Sequence, residues 1–119
     1  MNTPKTYPTS QPIDAAHVAH LRHAGKLLFE LGMVYGTPAA LKLLEANGMY
    51  PNALLGAHCH GDFGQVDDED WKTNDRAVVD GSRILSVYSV GCQTVWVITD
   101  AVNEVGVRRT TSLLLPSEY

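Results

Sequence analysis

Apolar positions along this chain keep a helical period through the first two thirds and then change to the tighter alternation of strands. Asp14 followed by Val18, Leu21 and Leu28 predicts a capped helix over Ala15 to Leu28, interrupted at Gly25. From Phe29 to Tyr35 the pattern becomes more extended and stops at Gly36. Thr37-Pro38 is a stronger signal, because threonine caps a helix while proline loses nothing at its first position. That helix runs from Ala39 to Ala46 with Leu41 and Leu44 on one side, and Asn47-Gly48 stops it. Pro51 opens a short helix through Leu54, Leu55 and His58, broken by Gly61 and Gly64. Asp67 opens another, with Asp68, Glu69 and Asp70 at its positive end; Trp71, Asn74 and Val78 share a face, and Gly81 closes it.

Three strands follow, over Arg83 to Val90, Gln93 to Asp100 and Arg108 to Leu115, with Pro116 ending the last. Gly91-Cys92 between the first two fits a type II′ hairpin turn. This turn pairs Val90 with Gln93, Tyr88 with Val95, Val87 with Trp96 and Leu85 with Ile98, and sets Arg83 opposite Asp100 as a cross-strand ion pair. The expected fold is α+β, with short N-terminal helices packed on a C-terminal three-stranded antiparallel meander. Residues 1–12 carry three prolines and read as a flexible tail, leaving 13–119 as one domain. Both faces of the hairpin are apolar, whereas a sheet with one wet face should alternate. Helices cover one face; the N-terminal segment or a second subunit is expected on the other, and a homodimer follows as an expectation.

Composition narrows the function classes. The 119 residues suit one domain, and with 45% apolar and 18% charged residues the chain can fill a core. A net charge of −4 and a single adjacent basic pair, Arg108-Arg109, argue against nucleic acid. No apolar run reaches the ~18–20 residues of a membrane span, and the N-terminus lacks a signal-peptide core. Cys59 and Cys92 form no C-x-x-C pair, which points to a reducing, cytoplasmic setting.

Chemistry-bearing residues are few. His58-Cys59-His60, with Cys92 as a distant fourth ligand, is the candidate metal site, although consecutive residues do not readily converge on one ion. His17, His20 and His23 recur every three residues in a segment that holds no acidic residue between them, as on a solvated face. His58 and Asp62, with Arg83 and Tyr88, are the candidate acid, base and anion-stabilising groups of a small hydrolase or nuclease. Asn74 lies on a buried helix face and must be hydrogen-bonded, to the Gly61–Gly64 turn or to a strand. Nucleotide-binding and nucleophile-elbow motifs are absent, and no cofactor is expected.

The blocks LGMVYGTPAAL, HCHGDFG, EDWKTN, GSRILSVY, VWVITD and TTSLLLPSEY, in this order, carry one further inference. From about Leu27 to Tyr119 the chain resembles small bacterial proteins labelled plasmid-related, a family without an established activity. The resemblance marks His58, Gly61, Asp62, Gly64, Asp70, Asn74, Gly81, Arg83, Ser86, Tyr88, Thr99, Pro116 and Tyr119. Phe63 stands where tryptophan is usual, and the 101–109 loop is longer than the family's and lacks its Asp-Arg segment. The resemblance implies a gene carried on a mobile element. The favoured expectation is a non-catalytic protein-interaction module, acting on a host or element defence system, with Asp62, Phe63, Asn74 and Trp96 as contact residues. The hydrolase and the metal-binding protein are the alternatives.

Overall fold

Asp14, Thr37 and Asp67 each start a helix by accepting a backbone N–H three residues on, at 3.0, 3.1 and 2.8 Å. The structure, a computed structural model, describes residues 14–119, so the expected tail lies outside the described residues. The elements are α1 (Ala15–His23), β1 (Met33–Gly36), α2 (Pro38–Ala46), α3 (Pro51–Cys59), α4 (Asp68–Asp80), β2 (Ile84–Val90), β3 (Gln93–Thr99) and β4 (Thr110–Leu114), with a 3-10 turn at Pro116–Glu118. Helix α1 is shorter than its apolar spacing predicts. Gly25 adopts φ +74°, its N–H bonds Arg22 O, and the Lys26 N–H bonds Leu21 O at 2.9 Å. That pair of bonds closes the helix and turns the chain before Leu28 can join it.

The hairpin has the register its loop dictates: Val90 pairs with Gln93, Tyr88 with Val95, Val87 with Trp96 and Leu85 with Ile98. Strand β4 adds antiparallel to β3. The expected three-stranded meander is, however, a four-stranded mixed sheet of order β1-β4-β3-β2. Strand β1 lies parallel to β4, anchored by Met33 N–H on Arg109 O at 2.9 Å and Thr37 N–H on Leu113 O at 3.0 Å. A four-residue strand whose partner is at the other end of the chain leaves no local pattern to read.

The expected ion pair of Arg83 with Asp100 is also corrected. The ladder stops at Ile84 and Thr99. The 3-10 turn brings Tyr119 back over the sheet, where the Arg83 guanidinium sits 5.5 Å from its ring centroid and donates to its hydroxyl. Asp100 instead accepts the Thr110 hydroxyl. Among the described residues the ion pair is Arg22 with Asp75, which joins α1 to α4.

Two apolar clusters lie between the helices and one sheet face. Ala40 and Leu44 of α2 and Leu54 and Leu55 of α3 pack on Val90, Val95, Val97 and Leu113. Phe29, Cys59, Phe63 and Ala77 surround Ile84. Gly64 holds the α3–α4 connection against β2 at φ +74°, and a Cβ there would stand 2.0 Å from Val87 O. Gly64→Ala therefore meets both a disfavoured backbone region and an immovable carbonyl, and should destabilise by about 3 kcal/mol or more in chemical denaturation.

Candidate functional site

His58 is the centre of the polar interior. It sits in the last turn of α3 with no solvent exposure, and its ring is linked, directly or through hydroxyls, to β2, β3, β4 and the segment before β1. Nδ1 lies 2.6 Å from Ser86 Oγ on β2, and Nε2 lies 2.8 Å from Thr99 Oγ1 on β3. Thr99 Oγ1 is 2.7 Å from Thr111 Oγ1 on β4, whose hydroxyl donates to Leu31 O, just before β1, at 2.7 Å. The direction of this chain follows from its end. A carbonyl only accepts, so Thr111 spends its proton there and must accept from Thr99. Thr99 in turn must accept from Nε2–H, which leaves Nδ1 as the acceptor for Ser86. His58 is thus the neutral Nε2–H tautomer. Burial, and then the positive charge of Arg108, push its pKa down to about 3.

Arg108 is also buried, 7% exposed, and among the described residues no carboxylate bonds it. Its guanidinium donates to Ser82 O at 2.7 Å, Ala77 O at 2.9 Å and Asp100 O at 3.0 Å, and lies over the Phe29 ring. Phe29 in turn meets His58 edge-on at 5.0 Å. Arg22 plays a similar part outside, with Nε on Gly61 O at 2.8 Å and its charge over Phe63 and Trp71.

The candidate catalytic residues are not brought together. Asp62 is on the surface, its carboxylate capping the Gly64 N–H at 3.1 Å, and the Tyr88 hydroxyl donates to the Asp62 backbone carbonyl at 2.5 Å. These two line a shallow groove of about 390 Å³ beside Met49 and Ala53, to which His58 does not contribute. Burial raises the Tyr88 phenol well above its usual range, the wrong direction for a base. Arg83 is at the far end of β2, lining a separate cleft with Asp70 and Asn74. Among the described residues no group of three His, Cys, Asp or Glu side chains converges to hold a metal ion. Both His58 nitrogens are occupied, His60 Nδ1 bonds Gly56 O at 2.8 Å, Cys59 is buried, and Cys92 is exposed in the hairpin turn.

Of the candidate contact residues, Phe63 is fully buried and unavailable. Asn74 ties α4 to a strand: its Nδ2 donates to Leu85 O at 2.8 Å and its Oδ1 accepts the Leu85 N–H at 3.2 Å. Next to it, the Val87 N–H bonds Phe63 O and Val87 O accepts from Gln65. One amide side chain and one loop thereby close the outer edge of β2 from Leu85 to Val87. Asn74→Leu removes both bonds and strands two edge groups, and should lower stability by about 2 kcal/mol in urea unfolding. Asn74→Asp should be no better, since it sets a carboxylate against Leu85 O.

Trp96 belongs to the sheet face opposite the helices. In register on that face are Leu85, Val87, Trp96, Ile98 and Leu114, continued onto β1 by Met33 and Tyr35. None of these seven belongs to either core cluster, although Ile98 is buried and Leu85, Val87, Trp96 and Leu114 are half-buried. Tyr119 covers Trp96 at 5.4 Å between ring centroids, while Met33 and Tyr35 remain more than half exposed.

Eight of the thirteen residues marked in the sequence fall in pairs and networks: His58 with Ser86 and Thr99, Arg83 with Tyr119, Asn74 with β2, and Tyr88 with Asp62. No family model, characterised protein or solved structure matches the chain. No helix among the described residues is long and apolar enough to cross a membrane.

Proposed function

We propose that the chain is a non-catalytic protein-interaction module whose working surface is the helix-free sheet face. One observation carries this reading: a half-buried apolar stripe of Leu85, Val87, Trp96 and Leu114 around the buried Ile98, which no described α-helix covers and which runs out to the exposed Met33 and Tyr35. Apolar surface of this extent, rimmed by polar groups, marks a binding site more often than an idle face. The groups that would serve catalysis have complete structural employment instead. The sequence resemblance supplies the setting of the proposal, a gene on a mobile element whose product meets a component of a host or element defence system.

The test compares the chain with Val87→Lys and Leu114→Lys in affinity capture from a bacterial host, with cross-links mapped onto β3 and β4. A specific partner should be retained by the unaltered chain and lost at least tenfold by both variants at unchanged unfolding midpoints. Equal retention by all three would contradict the proposal.

A further inference from the structure

The two edges of the sheet differ in a way that selects a partner. The β2 edge is closed, with Leu85 satisfied by Asn74 and Val87 by the Phe63–Gln65 segment. The β1 edge is open. Met33 and Thr37 bond β4, so strand alternation turns the N–H and C=O of Val34 and Gly36 outward, where no described strand follows. Exposed edges are ordinarily guarded by charge, proline or a bulge. Met33–Gly36 carries none of these, and Met33, Val34 and Tyr35 are 63%, 42% and 55% exposed.

We propose that this edge pairs antiparallel with the same edge of a second copy, joining the two sheets into one about a two-fold axis. With β2 closed from Leu85 to Val87, that edge has too little free backbone for head-to-tail stacking, so association ends at the dimer. Gly32, at φ +66°, has left the extended conformation and cannot pair. The axis therefore falls at Tyr35, with Val34 of one protomer and Gly36 of its partner exchanging about four N–H···O=C bonds in all. Met33 and Tyr35 then carry the apolar face across the junction. The inference rests on the sheet being an interaction surface and names a second copy as the partner at its edge.

Sedimentation of the full chain across the micromolar range tests it. The unaltered chain should approach twice its 13.0 kDa mass. Val34→Pro removes an outward donor that β4 does not use, so it should weaken the dimer at least tenfold while leaving unchanged the unfolding midpoint measured at concentrations where both chains are monomers. Val34→Lys, which places a charge on the edge without constraining the backbone, should do the same. Tyr35→Cys in a Cys92→Ser background should oxidise to a covalent dimer, because a non-hydrogen-bonded pair holds its Cα atoms about 4.5 Å apart. A monomer throughout would overturn edge pairing while leaving the face available to another protein. A dimer indifferent to both Val34 variants but dissolved by Val87→Lys would overturn it too, and would locate the second copy on the face.

Discussion

Replacing His58 by alanine should lower stability by about 4 kcal/mol, close to the whole margin of a small domain. The ring fills space that neighbours cannot reclaim, and its loss leaves the Ser86 and Thr99 hydroxyls without partners in a dry interior. His58→Gln keeps one acceptor and one donor at similar reach, and should recover about half of that loss. Urea midpoints at constant m would measure both. The same residue sets the acid limit. Its folded pKa of about 3 lies below the ordinary value of 6.5, so the unfolded chain takes up the proton first. Stability is therefore full above about pH 6.5 and is lost as the pH falls toward 3, by up to about 1.4 kcal/mol per unit and on the order of 5 kcal/mol in all. The difference between the unaltered chain and His58→Gln across that window isolates this contribution from the carboxylates.

Arg108→Met should cost about 3 kcal/mol. Three carbonyls, at the end of α4, before β2 and after β3, depend on one planar guanidinium, which also meets the negative end of the α4 dipole. Part of the loss is offset because the variant no longer buries a charge. Arg108→Lys should recover little, since a point charge cannot reach three divergent acceptors. Hydrogen exchange should quicken in the 101–107 loop in both variants, and equal protection there would contradict the assignment.

Local chemistry was legible in the sequence, and long-range pairing was not. The Gly91-Cys92 loop fixed the hairpin register because its length leaves one solution. The caps at Thr37, Asp67 and Gly81 likewise act within one turn of their own helices. By contrast, β1 finds β4 across most of the chain, and Arg83 finds Tyr119 only because the 3-10 turn folds back. The His58 network left a trace that was available. Ser86 and Thr99 fall in phase with the buried Ile84, Val90, Val95 and Val97, so two hydroxyls had to meet a polar partner on the helix side. Asn74 was readable for the same reason, as a buried amide obliged to bond a turn or a strand. Arg108 gave no such warning; in sequence it is half of a basic pair, and only folding separates it, buried, from the exposed Arg109.

Under the proposed function the polar residues build the scaffold and leave the sheet to act, and the imidazole of His58 tests that division most directly. In a nitrogen-resolved NMR titration, His58 should hold a protonated Nε2 and an unprotonated Nδ1 without change from about pH 8 to about pH 4.5, its N–H protected from exchange. A ring that titrates near its ordinary pKa of 6.5 and exchanges freely with water would contradict the account and return His58 to the candidates for acid–base chemistry.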